Sequence, residues 1–206
     1  MDDKRHGAMT EKEQKKQLCE RWAAVGKIDL RRALAQAESP FGRTPSGLLD
    51  YRGVMITDSL HRLSFSHVDM SFATMDSGQL VAEVADCLFC ACVFESNIGK
   101  RFTRCSFNDA KLVNSVILGS FDECTFVNAN LSKIRSSQGR FSACVFEDAN
   151  LRKASFFDCT FDGSRIKNCK LGSGSFAGSS FSDCVVEGAD FSRTVMERVT
   201  GIDLSI

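Results

Sequence analysis

The chain has no surplus of either charge: Lys+Arg and Asp+Glu both number 26 in 206 residues. Bulk electrostatics therefore gives no reason to expect nucleic acid or an acidic membrane as a partner, and any charge argument must come from distribution. Nor does it contain an apolar run near the ~18–20 residues that a membrane span needs, and the polar opening Met1 to Thr10 lacks a signal-peptide apolar region. The expected compartment is the cytoplasm. Histidine is scarce, with only His6, His61 and His67, and none stands in a Cys/His, Ser/His or metal-ligand arrangement. No catalytic, cofactor or metal site is expected, and the chain reads as non-enzymatic. The only two prolines, Pro40 and Pro45, join Gly42 and Gly47 in what reads as a linker.

With 43% hydrophobic residues, the chain can bury a substantial core. What it has in excess is cysteine, ten in all. In a small secreted protein that count would suggest a disulfide framework. Without an export signal, and with the positions described next, most read as small core residues. The same holds for Cys87-Leu88-Phe89-Cys90-Ala91-Cys92, whose register places Cys87 and Cys92 inward on different sides and Cys90 outward.

A period of five dominates the chain. Stepping back from Phe191 by fives meets Val186, Phe181, Phe176, Leu171, Ile166 and Phe161, then Phe156, Leu151, Phe146, Phe141, Ser136, Leu131, Phe126 and Phe121. Small residues sit two positions earlier, among them Cys124, Ala129, Cys144, Ala149, Cys159, Ser164 and Cys184. Five fits neither a helix, which drifts ~140° per repeat, nor a strand, which changes face after an odd step. The chain must turn once per repeat, with two inward positions two apart and three residues facing out. Upstream, Met55, Leu60, Phe65, Met70, Met75 and Leu80 keep the step.

A second period of twenty aligns Phe121, Phe141, Phe161 and Phe181 in one column and Leu131, Leu151, Leu171 and Phe191 in another. Four repeats per coil is the natural reading, with ladders of like residues up the core. The segments Ala129-Asn130-Leu131, Ala149-Asn150-Leu151 and Ala189-Asp190-Phe191 resemble the A(D/N)LXX signature of the pentapeptide-repeat family, over roughly residues 50 to 198. The resemblance implies an all-β solenoid, a right-handed quadrilateral β-helix. In this bacterial family it also implies binding to proteins, and in some members mimicry of DNA toward type II topoisomerases.

The expected domains are a helical and linker segment over 1–48, the β-helix over 49–198 and a tail over 199–206. Thr10 to Val25 reads as a helix with a Thr10/Glu13 capping box, and Asp29 to Ala37 as a second. This segment is a candidate cap for one solenoid end, or a means of pairing two copies there. The register slips between Leu80 and Val84, Phe94 and Phe102, and Ile117 and Phe121, each expected to be a corner loop or bulge. The glycines of Leu171-Gly172-Ser173-Gly174-Ser175 are expected at corners rather than in a phosphate loop.

Sorting outward residues by register gives addressable faces. The Leu131 face shows Lys133, Arg152, Lys153, Lys170 and Arg193 against Asp190, a net of +4. The opposite Phe121 face shows Asp122, Glu123, Asp162 and Asp183 against Arg140, a net of −3. Between them lies a nearly neutral face with Ser137, Ser155, Phe157, Ala177 and Gly178, where Phe157 is a candidate contact residue. The expected function is a non-catalytic scaffold for a protein partner. Residues 60–206 carry 15 basic and 17 acidic groups, so DNA mimicry toward gyrase is disfavoured; an immunity or effector-associated role is a third reading.

Overall fold

The structure is a computed structural model, which describes residues 9–76 and 78–202; His6 and residues 203–206 of the tail lie outside them. From Leu49 onward the chain is a parallel β-solenoid. One column of it runs Asp50, Asp69, Leu88, Ser106, Thr125, Val145, Arg165 and Val185, each paired in parallel with the next. The step is 18 or 19 residues as far as Thr125 and 20 from there on.

The turn that a period of five demands is made at one residue per repeat, two positions after the large inward side chain. Glu123, Asn128, Lys133 and Gln138 close four successive sides with φ of 54°, 55°, 60° and 57°. Left-handed backbone costs a non-glycine residue roughly 1–2 kcal/mol. Rung-to-rung hydrogen bonds offset it, such as Phe126 N–H to Val145 O at 2.8 Å and Leu131 N–H to Asn150 O at 2.9 Å.

Inside the coil the phenylalanines stack. Phe121, Phe141, Phe161 and Phe181 follow one another with ring centroids 5.4, 5.0 and 4.8 Å apart and nearly parallel planes. Phe107, Phe126 and Phe146 form a second ladder at 5.2 and 4.8 Å. Neighbouring ladders meet edge to face, as Phe141 does with Phe146 at 5.8 Å and Phe156 at 5.7 Å. Both offset-stacked and T-shaped pairs add to the apolar burial that drives the fold.

The register slips are not loops. Two fall within the seven-residue strands Gln79–Ala85 and Val116–Asp122, and the third runs from Phe94 through a bend at Ser96 into another such strand, Asn97–Thr103; the three strands pair residue for residue. A spacing of four keeps both large residues on one face of an extended strand, so Leu80, Ala82 and Val84 are all buried in a straight run. The corner survives in two of these strands as a single residue of positive φ, Lys100 at 81° paired with Gly119 at 89°. One coil later the strand splits into Arg135–Ser137 and Arg140–Ser142 around Gln138-Gly139, and the five-residue corner returns.

Two further expectations are corrected. Met55 faces solvent at 67% exposure, while Val54 and Ile56 point inward, because Met55 pairs with Thr74 and so places Ile56 in line with Met75. In Leu171–Ser175 the left-handed corner residue is Ser173 at φ 61°, not a glycine. Gly174 is the small inward residue, and Gly172 has open space where a Cβ would stand.

The N-terminal segment packs on the first coils. Helix α1, Glu11–Val25, starts at a Thr10/Glu13 capping box, and the short α2, Leu30–Ala35, starts at Asp29, which accepts from Arg32 N–H; α2 is shorter at both ends than the sequence suggested. Leu30 and Leu34 join the solenoid core. Gly53 permits α1 to lie close, since a Cβ there would collide with the Leu18 backbone. Trp22 stacks on Tyr51 at 5.9 Å and donates its indole N–H to Arg52 O at 2.9 Å. At the opposite end Cys184, Val186, Ala189, Phe191 and Met196 are only partly buried, around an open hollow of about 650 Å³.

Candidate functional site

The outward residues of each rung are held by the corner geometry just described, so their positions follow from register. The inward ladder residues Phe121, Phe141, Phe161, Phe181, Leu131, Leu151 and Leu171 are each at most 2% exposed. Phe191 is the exception: it belongs to the last coil, where the described residues place no further rung above it, and it is half-buried.

On the Leu131 face, Lys133, Arg152, Lys153, Lys170 and Arg193 are all exposed. Lys133, Lys153 and Ser173 occupy the same corner position in successive coils, each with positive φ. On the Phe121 face, Glu123, Asp162 and Asp183 are exposed and Asp122 is half-buried. None of these residues forms an ion pair among the described residues.

The Phe121 face is less acidic over its full length than its last coils suggest. Upstream, Lys100 pairs with Glu83 at 3.1 Å and Arg104 with Asp86 at 2.6 Å, while Arg101 stands in the column of Arg140 through Ser120. The acidic excess is thus confined to the C-terminal coils. The register slips hid this, because counting by fives loses the column above Phe121.

The low-charge face is longer than the sequence showed. Pairing places Val81, Gly99 and Leu118 in one column, which continues through Ser137, Phe157 and Ala177. Leu118 is 41% and Phe157 45% exposed. The adjoining outward column holds Gln79, Asn97, Val116, Arg135 and Ser155, and Arg135 is its single charge up to that point. Leu118 escaped the sequence reading because it lies beside a slip; Ile117 at the inward position was the available signal.

Among the described residues no group of three or more His, Cys, Asp or Glu side chains converges as a metal site. Cys87 and Cys92 are fully buried on different sides, and Cys90 is half-exposed, 3.3 Å from Ser106 Oγ. Burial pushes the Cys87 and Cys92 thiols up, and Cys169 to about 11, so these stay neutral. Asp50 is the one strongly perturbed carboxylate. Burial opposes its ionisation, but hydrogen bonds from Arg21 at 2.6 and 2.9 Å and from Arg52 at 2.8 and 3.0 Å outweigh burial and hold it well below the usual range. It joins α1 to the first coil.

Together these features define a surface-presenting parallel β-solenoid with four inward columns per coil. The family profile described as pentapeptide repeats matches residues 140–172 and 159–198, with eight copies. Over residues 140–198 the chain carries pentapeptide repeats. No curated protein sequence matches it. Among solved structures it is similar to the pentapeptide-repeat protein Rfr23 of the cyanobacterium Cyanothece 51142, at 22% identity and TM-score 0.27. That match covers 46% of this chain and 63% of Rfr23, less than two thirds of its length. Trypsin-treated QnrB1, a plasmid-mediated fluoroquinolone resistance protein, matches at 16% identity and TM-score 0.31, covering 73% of this chain and 90% of that one. HetL of the cyanobacterium Nostoc sp. PCC 7120, involved in heterocyst differentiation regulation, matches at 12% identity and TM-score 0.24, covering 96% and 99%.

Proposed function

We propose that the protein is a non-catalytic docking module that presents the low-charge face of its solenoid to a protein partner. The observation that carries this reading is the column Val81, Gly99, Leu118, Ser137, Phe157 and Ala177, apolar or small throughout, with Leu118 and Phe157 exposed two rungs apart. Exposed aromatic and aliphatic anchors on a surface poor in charge are what a buried contact patch requires. The backbone beneath them is paired on both sides, so little ordering cost accompanies binding.

Phe157→Asp tests it. A photo-crosslinking residue at Ser137 is expected to capture a partner from cells of the source organism, and Phe157→Asp to weaken that capture at least tenfold, about 1.4 kcal/mol or more, with the melting temperature unchanged. Capture that is indifferent to Phe157→Asp and Leu118→Asp would overturn the reading. A DNA-mimicking contact with a type II topoisomerase is the second reading, supported by exposed, unpaired Glu123, Asp162 and Asp183. It is weaker because the patch is short and cations flank it. A supercoiling assay with DNA gyrase separates the two.

A further inference from the structure

The Leu131 face is oppositely charged at its two ends. Its outward column runs Met55, Thr74, Val93, Lys111, Asn130, Asn150 and Lys170 by rung-to-rung pairing, and Asp190 follows one coil on. The first three coils present Asp58, Asp76 and Glu95 beside this column, and the last four present Lys133, Arg152, Lys153, Lys170 and Arg193. All eight are exposed, and none is ion-paired among the described residues. The flat Phe157 face is not involved.

We propose that this face docks onto a second copy of the chain, face to face and antiparallel, about a twofold axis through the middle of the rod. Such an axis keeps each column opposite itself and exchanges first coil with eighth, second with seventh, third with sixth and fourth with fifth. Asp58 then meets Arg193 of the second copy, Glu95 meets Arg152 of the second copy, and Asp76 lies opposite the coil that carries Lys170. No like charges face one another: Lys111 meets Asn130, Lys133 meets Asn114, and Asp190 meets the exposed Met55. Parallel docking of the same faces would set each coil against itself, bringing the cationic coils together and the acidic coils together. An isologous contact closes on itself, and the chain's zero formal charge leaves no net repulsion to overcome. Helix α1 lies against the neighbouring corner at Gly53, and the link after it, Gly26 to Ile28, borders the first rung of the face at Met55, Thr57 and Asp58; Asp58, Asp76 and Glu95 stay exposed.

The face is small. Eight rungs at ~4.8 Å and a width of ~12 Å give roughly 400 Å² per copy, about half of what a standard interface buries on each side. Association is therefore weak, dependent on these charges and sensitive to salt.

Sedimentation velocity of the full chain decides. At about 20 mM salt a dimer is expected, and at about 500 mM a monomer, since the screening length shrinks to a few ångströms. Glu95→Lys and Arg152→Glu each weaken the low-salt dimer at least tenfold, while E95K and R152E together in one chain restore it, because each reversed site meets its reversed partner. Circular dichroism and melting confirm folding of every variant; if either fails to fold, Asp58→Arg with Arg193→Asp makes the same exchange. A monomer at low salt overturns the proposal, as does a double variant no better than the singles. A dimer that persists at high salt overturns it too, and places the second copy on the open C-terminal hollow instead.

Discussion

Ser164 interrupts a column whose neighbours are Cys105, Cys124, Cys144 and Cys184, and it shows what the small inward position does besides being small. Its hydroxyl donates to Phe141 O at 2.9 Å and accepts from Cys144 N–H at 3.0 Å. The thiols make the weaker version of the first contact, Cys144 Sγ to Phe121 O at 3.2 Å and Cys184 Sγ to Phe161 O at 3.1 Å. Ser164→Ala leaves the buried Cys144 N–H without its partner and is expected to cost ~1–3 kcal/mol in urea unfolding, with Ser164→Cys costing less. A loss equal for both variants would mean that volume alone matters there. Sequence disclosed the size rule at this position but not the hydrogen bonds, because a period reports which way a side chain points and nothing of what it reaches. Met55 shows the limit more sharply: the step of five selected it, and its inward neighbours Val54 and Ile56 carried the core instead.

At the level of elements, the five-residue corner and the four-residue straight passage are alternative ways to reach the next inward residue. Gly119 combines φ of 89° with a position where a Cβ would collide with the Lys100 carbonyl, whereas Gly172 has nothing near it. Gly119→Ala is therefore expected to destabilise by about 2–4 kcal/mol, and Gly172→Ala by less than ~0.5 kcal/mol, by thermal or urea unfolding. Equal effects would show that the strand can shift to accept the methyl group. The slips were visible in the sequence as missing residues; that they shorten corners rather than lengthen them followed only from knowing which strands pair.

Across the whole molecule the two ends differ. The first coil is clamped by α1 through Arg21, Asp50 and Arg52, while the last presents half-buried apolar residues. Because the folded carboxyl of Asp50 titrates well below the ordinary value near 4, the clamp's contribution is complete above that value and falls away as the pH drops beneath it. Urea unfolding should thus show a loss between about pH 5 and pH 2 that Asp50→Asn lacks, the variant being less stable by ~3–5 kcal/mol at neutral pH. A slope unchanged in the variant would sink this account. The helices and their capping box could be read from sequence, but not the bond from Arg21 to Asp50, which lies 29 residues further along the chain. The clamp also bears on biosynthesis. Each coil needs a finished neighbour to pair with, and the clamped end leaves the ribosome first. The nascent chain therefore carries its own template: at ~5–20 residues per second a new turn is translated every one to four seconds and can settle on the one before it.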